Sequence, residues 1–323
     1  MKERIDYWDN LKCFLIILVV VGHFIEPMVP TSIEAKRLWL FIYTFHMPLF
    51  IFIAGYFHRN TKIAEKIYMY IALGILTRIL IFIPKLLWGI TTSYRFFYES
   101  GIPWFMFAMA LFIGSSFLLR NLNGKFVLLI SVIVALFVGY DQSINDFFVL
   151  SRYFVFFPFY WAGILLQNSN IIEVIKNFKW HIIIGFIIIG GVLYLCIFHL
   201  GDFYHLRPYF TGRNPYSWHK EAGALVRLIA YFISSCMCVA IIALCPCRNI
   251  PLLTRIGGRS LQIYFWHQLF RNLIVHYGLL KYLSSPSSKV VYVLLAILLA
   301  FILGTRPFGF PVTMIRKLCL KKS

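Results

Sequence analysis

The chain has 323 residues, 60% of them hydrophobic, 19% aromatic and only 13% charged, with a mean hydropathy of +0.78. Soluble domains of this length are not so apolar, so the composition specifies a polytopic membrane protein. The formal net charge of +19 does not indicate a nucleic-acid partner. The lysines and arginines are scattered through short connections between apolar runs, which suits the positive-inside rule and an anionic leaflet of membrane lipids.

Hydropathy predicts an all-α integral membrane bundle of about ten helices, over residues 10–27, 38–57, 67–88, 103–120, 125–140, 147–167, 180–199, 223–245, 259–279 and 289–307. No repeat, linker or low-complexity tract divides the chain, so residues 1–323 read as one polytopic domain. The first run does not read as a cleaved signal peptide. It lacks a small-residue cleavage site, has acidic residues before it and is followed at once by further spans. Orientation follows from the basic residues. With both termini in the cytoplasm, the inner segments hold Lys2, Arg4 and Lys12, then Arg59, Lys62 and Lys66, then Arg120 and Lys125, Lys176 and Lys179, and Arg248, Arg255 and Arg259. The last inner segment adds Arg306, Arg316, Lys317, Lys321 and Lys322, giving 18 against about ten outside.

The first span, DNLKCFLIILVVVGHFIEP, carries Lys12 near its start and His23 near its end. Eleven positions at 100° each bring both onto one helix face, about 16 Å apart along the axis. Ionisable groups are costly in hydrocarbon and usually face a polar interior where chemistry or transport occurs. A snorkelling lysine and a histidine bonded within the bundle would be the simpler account. In the second span, FHMPLFIFIAGY, His46 is expected at the depth of His23, with Pro48 marking a bend and Gly55 a close helix contact. Span six places Arg152, Tyr153 and Tyr160 in its outer half, and Arg78 falls at the centre of span three. On span nine, Ser260, Tyr264, His267 and Arg271 recur at i, i+4, i+7 and i+11, a polar stripe suited to lining a cavity. Glu26, three residues after His23, is the one carboxylate well placed to serve it.

These groups describe an intramembrane chamber in which a histidine could deprotonate a hydroxyl. The longest outer connection, residues 200–222, is rich in Tyr, Trp, His, Arg and Asn. It suits either a sugar-gripping surface or an interfacial aromatic belt with turns. Cys236, Cys238, Cys245 and Cys247 match no standard zinc spacing, and no metal is expected. Neither a phosphate-cradling glycine loop nor a nucleophile elbow is present.

The segments YWDNLKCFLIILVVVGHF (7–24), YTFHMPLFIFIAGYF (43–57), PWFMFAMALF (103–112), RYFVFFPFYWAGILL (152–166) and GGRSLQIYFWH (257–267) together resemble the membrane acyltransferase family 3, in its fucose 4-O-acetylase-like branch. They occur in the family's order across nearly the whole chain. The resemblance implies a multi-pass enzyme of the cell membrane that moves an acetyl group from cytoplasmic acetyl-CoA to a hydroxyl of a glycan or lipid-linked sugar. It implies that His23 is catalytic and that Lys12 is its basic partner or a donor contact. Arg59, Lys62 and Lys66 stand where many relatives carry an Arg-x-x-Arg pair for the donor. His46, Arg152, Tyr153, Tyr264, His267 and Arg271 then fall to the acceptor. The rival reading is an exporter of glycan or glycolipid that uses the same histidines and arginines for cargo. The lack of paired repeats and of acidic relay residues counts against it.

Overall fold

Long apolar runs punctuated by capping residues become helices, and in lipid only helices or closed barrels satisfy the backbone. The computed structural model describes residues 6–90, 97–99, 101–217 and 219–320. Lys2, Arg4, Trp218, Lys321 and Lys322 lie outside the described residues. The chain forms α1 (Asp6–Ile25), α2 (Ile33–Tyr43), α3 (His46–Tyr56), α4 (Ile63–Leu87), α5 (Trp104–Leu118), α6 (Gly124–Phe137), α7 (Leu150–Leu166) and α8 (Ile171–Asn177). It continues with α9 (His181–Phe198), α10 (Leu200–Tyr204), α11 (Arg207–Phe210), α12 (Gly223–Leu244), α13 (Pro251–Gly257), α14 (Ser260–His276), α15 (Pro286–Leu303) and α16 (Val312–Cys319). An isolated bridge between Tyr98 and Phe147 is the only extended pairing among the described residues.

Six helical segments among the described residues are long and apolar enough to cross a membrane: Asp6–Met28, Ile33–Tyr56, Ile63–Leu87, His181–Phe198, Lys220–Leu244 and Pro286–Leu303. Three further expected spans coincide with the shorter apolar helices Trp104–Leu118, Gly124–Tyr140 and Leu150–Leu166. The last expected span is α14, whose polar stripe lowers its hydropathy.

The second span is broken at Thr44 and Phe45 rather than continuous. Pro48 sits in the first turn of α3 and has no N–H to offer the Thr44 carbonyl. That carbonyl instead accepts a hydrogen bond from Ser234 Oγ of α12. The bend thus falls four residues before the proline that causes it.

Long-range hydrogen bonds show which helix ends lie together. Tyr7 Oη donates to Ile242 O at the end of α12 (2.7 Å), and Arg259 Nη1 donates to Gly304 O after α15 (2.8 Å). At the opposite end, Tyr292 Oη donates to Phe24 O (3.1 Å) and Arg37 Nη2 to Ile197 O (2.9 Å). Helices α1 and α14 therefore run parallel, and their polar residues align level by level. A crossing with glycine on both helices joins α3 to α7. A Cβ on Gly55 would lie 1.9 Å from Tyr160 O, and one on Gly163 would lie 2.2 Å from Phe52 O. Only a missing side chain on both helices allows that approach.

Because the clash is with rigid backbone, Gly163→Ala should destabilise the detergent-solubilised protein by at least the ~1–3 kcal/mol typical of overpacking. Gly190→Ala, where a Cβ meets nothing within 4 Å, should not. A thermal melt followed by size-exclusion recovery would check this, and equal melting of the two variants would refute the crossing.

Candidate active site

The face of α1 that carries Lys12 continues through Ile16 and Val19, and these three side chains wall a cavity of about 420 Å³. At the α1 N-terminal end its mouth is basic, with Lys12, Arg59, Lys66 and Arg316, and among the described residues no carboxylate lines it. Further in, the wall turns apolar with Met47, Phe50, Phe105 and Met109. Ser260 and Tyr264, the first half of the α14 stripe, also line the cavity.

Lys12 Nζ is 2.6 Å from Asp9 Oδ1, and Asp9 is itself only 1% exposed. The lysine thus stands beside a buried carboxylate one turn before it on the helix. Lys66 Nζ donates to Arg59 O at 2.7 Å, tying the start of α4 to the turn before it. Lys62 caps α4 with a left-handed φ of 51° and is not part of the cavity wall. His58, also in the wall, accepts from Tyr160 Oη at Nδ1 (2.8 Å) and donates from Nε2 to Asn60 Oδ1 (2.9 Å). Burial holds its imidazole below the ordinary histidine range, opposed by the Asn60 bond. Arg316 reaches the mouth from α16, and nothing in the spacing of the membrane spans would have placed it there.

Beyond the cavity wall, the continuing residues of both stripes meet. The rings of His23 and His267 lie 5.4 Å apart at 35°. His267 is fully buried. Its Nδ1 donates to Tyr264 O at 2.8 Å, which leaves Nε2 as a buried nitrogen with no partner among the described residues. Glu26 Oε2 lies 3.5 Å from His23 Nδ1 and 3.6 Å from Arg271 Nη2, so one carboxylate links the last polar groups of the two helices. Tyr43 stands edge-on to His23 (6.3 Å) and to His46 (4.5 Å), while His46 Nδ1 donates to Ile42 O at 2.8 Å. The three histidines thus form one cluster, with Tyr43 joining His46, expected at the depth of His23, to the pair.

The outer-half groups are arranged differently. Arg152 is 4% exposed, donates to Glu99 O (3.2 Å), lies 3.8 Å from Asp146 Oδ1 and stacks over Trp104 at 5.1 Å. Arg78 pairs with Glu99 Oε2 at 2.7 Å. Glu99 is the carboxylate that the reading of the first span overlooked, because it sits 76 positions from His23 in a segment between helices. Tyr153 bonds Ser115 Oγ (2.6 Å) and packs on Phe112 and Phe157, apart from the histidine cluster. In the 200–222 segment, Tyr209, Phe210 and Tyr216 are buried as anchors, whereas His205, Arg213 and Ser217 are exposed. Fully buried Arg227 holds the segment down by donating to Arg213 O (3.2 Å) and Asn214 Oδ1 (2.8 Å). Among the described residues no group of three or more His, Cys, Asp or Glu could hold a metal, and all seven cysteines are free.

The cavity's charge gradient is directly measurable. In a protein with Cys247 replaced by serine, Ala54→Cys in the cavity wall should react with methanethiosulfonates. The anionic sulfonatoethyl reagent should react faster than the cationic trimethylammonium one, and salt should erase the difference. A faster reaction with the cationic reagent would contradict a basic mouth.

A family profile described as an acyltransferase domain matches residues 5–305. The nodulation protein NolL of Sinorhizobium fredii is 31% identical over 191 residues, which are 50% of this chain and 48% of that protein. The chain thus spans about half the length of the curated relative it matches. No solved structure matches the chain. A profile that runs from the start of α1 to the end of α15, over a bundle whose α1 and α14 carry the histidines, places the family on firm ground: the chain belongs to the membrane acyltransferase family 3.

Proposed function

We propose that this multi-pass acyltransferase is an O-acetyltransferase of the cell membrane. It spans the bilayer with about ten helices, both ends in the cytoplasm, and transfers acetyl from cytoplasmic acetyl-CoA to a hydroxyl of a cell-surface glycan or its lipid-linked precursor. What carries the reading is one observation: the Lys12 face of α1 lines a cavity that runs from a basic mouth towards the paired rings of half-buried His23 and buried His267. Acetyl-CoA is a highly charged nucleotide joined to a thin, neutral arm with the reactive thioester at its tip. A mouth with cations, an apolar passage and a polar inner end match those parts in order.

In this mechanism Lys12, Arg59 and Lys66 hold the donor's phosphates, and Lys62 adds to the field outside the wall. His23 Nε2 takes the proton of the acceptor hydroxyl as its oxygen attacks the thioester carbonyl. The C–O bond forms, the C–S bond breaks, and the imidazolium returns the proton to the departing thiolate. Glu26 faces the other ring nitrogen and stabilises the imidazolium, while Arg271 keeps that carboxylate ionised and in place. His46, Tyr264 and His267 position the acceptor around the reacting atoms. Arg152 and Tyr153 shape the outer approach under the exposed polar groups of 205–217.

His23→Ala should lower transfer by about 10²–10⁴, the range for loss of a general base, with insertion and expression intact. Glu26→Gln should lower kcat by less and leave the KM for acetyl-CoA unchanged. Both can be measured in proteoliposomes from radiolabelled acetyl-CoA, and near-normal turnover in His23→Ala would reject the mechanism. Export of glycan by the same vesicles without acetyl-CoA consumption would favour transport instead.

Lys12 should act on the donor alone. Lys12→Met should raise the KM for acetyl-CoA without changing that for the acceptor, and Lys12→Arg should restore most of the loss. With acetyl-CoA supplied to one face at a time, activity only from the face opposite the Lys12 mouth would show the donor path to be misassigned.

A further inference from the structure

The last helix, α16, lies after the final span and is strongly amphipathic. It buries Val312 and Ile315 and packs against α4 and α14. Arg316 and Leu320, one turn apart and so on one face, project into the cavity mouth. The neighbouring Lys317 is exposed and does not line the cavity. Arg316 is close enough to Tyr70, another wall residue, to act on its hydroxyl electrostatically. No ion pair to Arg316 occurs among the described residues. Of the four cations at the mouth, Lys12 lies on the α1 face leading to His23 and already has Asp9 as partner. Arg59 belongs to the α3–α4 turn and Lys66 to the first turn of α4. Arg316 alone comes from α16, a separate helix after the final span.

We propose that α16 completes the donor site and that Arg316 binds the 3′-phosphate of the donor's adenosine. This rests on acetyl-CoA being the donor. The nucleotide carries two separate anionic groups, a diphosphate at the root of the neutral arm and a phosphomonoester on the ribose. With the arm in the apolar passage, the diphosphate falls to Lys12, Arg59 and Lys66, and the separate ribose phosphate falls to the cation that α16 supplies. A guanidinium suits a dianionic phosphomonoester, which it can hold with two parallel N–H donors.

The test compares acetyl-CoA with acetyl-3′-dephospho-CoA, and CoA with 3′-dephospho-CoA in equilibrium binding, on full-length protein in zwitterionic nanodiscs. Wild type should prefer the 3′-phosphorylated form by about tenfold, the effect of one charge-assisted hydrogen bond. Arg316→Gln should bind both forms equally, with its loss confined to the phosphorylated one. Arg316→Lys should recover part of the preference, and kcat and the acceptor KM should stay as in wild type. Lys317→Gln removes the same charge from the same helix without a cavity contact, and should keep the full preference. If Arg316→Gln keeps the wild-type preference, the assignment is overturned and the acetyltransferase reading survives. If its defect appears only when anionic lipid is added, Arg316 serves a lipid headgroup and the assignment is again overturned. If wild type itself binds neither form of CoA, the donor reading falls and this inference with it.

Discussion

The structure depends on one constraint: ionisable groups that enter the membrane must face one another. Lys12, His23 and Glu26 on α1 and Ser260, Tyr264, His267 and Arg271 on α14 lie on single stripes of two parallel helices. In hydrocarbon neither stripe could face lipid without a cost of several kcal/mol. Turned inwards, they meet in register. The mouth of the cavity lies at the level of Lys12 and Ser260, and the contact between His23 and His267 comes next. The Glu26–Arg271 pair closes the far end. The remaining helices enclose this seam, with α3 and α7 pressed together at Gly55 and Gly163 and α13 held to α1 at Gly257, where a Cβ would lie 1.7 Å from Asp9 O.

The same constraint explains what could be read in the sequence. A residue that must hide from lipid betrays its face through helical spacing, so the eleven-residue step from Lys12 to His23 and the i, i+4, i+7, i+11 series on α14 gave the polar face of each helix, though not that these two faces meet. The pairing partner of His23 at i+3, Glu26, was visible for the same reason. Apolar run length located each main helix to within a few residues, because hydrocarbon thickness sets length. Groups whose partners come from distant segments were not legible. Arg78 had no role until Glu99 was placed beside it at 2.7 Å. Arg316, counted in the sequence only as part of a basic tail, enters the cavity because α16 folds back beneath α4. The break at Thr44 came earlier than the proline suggested, since a proline removes the bond of the carbonyl four residues before it.

The arginines separate into two kinds, and their surroundings show why. Arg227 is fully buried, and it donates to carbonyl and amide oxygens and lies over the faces of Tyr209 and Tyr216 at 5.7 and 4.7 Å. A guanidinium so enclosed cannot be reached by substrate, and it fixes the 207–217 segment over the bundle. Arg271 and Arg316 retain exposure to the chamber or the mouth. Sequence alone cannot make this division, because burial of an arginine in an apolar run is compatible with either. What decides is whether neighbouring backbone oxygens already satisfy its donors.

The dimensions of the cavity also bear on chemistry. At about 420 Å³ it is at the small end of ligand sites, enough for a slender arm but not for a nucleotide as well. The charged part of any such donor must then stay at the mouth, in the higher dielectric where four cations gather. The reactive tip alone enters the apolar passage. The passage is walled by apolar side chains, and on the proposed mechanism the acceptor hydroxyl is delivered from the opposite side. The two histidines of the seam, His23 with its carboxylate and His267 with an Nε2 that has no partner among the described residues, differ in one respect that matters for this step. His23 has an anion positioned to stabilise the charge it would acquire, whereas His267 donates to a neutral carbonyl and would carry a new charge uncompensated. On the mechanism proposed above, proton abstraction falls to His23, and the Nε2 of His267 would accept a hydrogen bond from the hydroxyl that is to react.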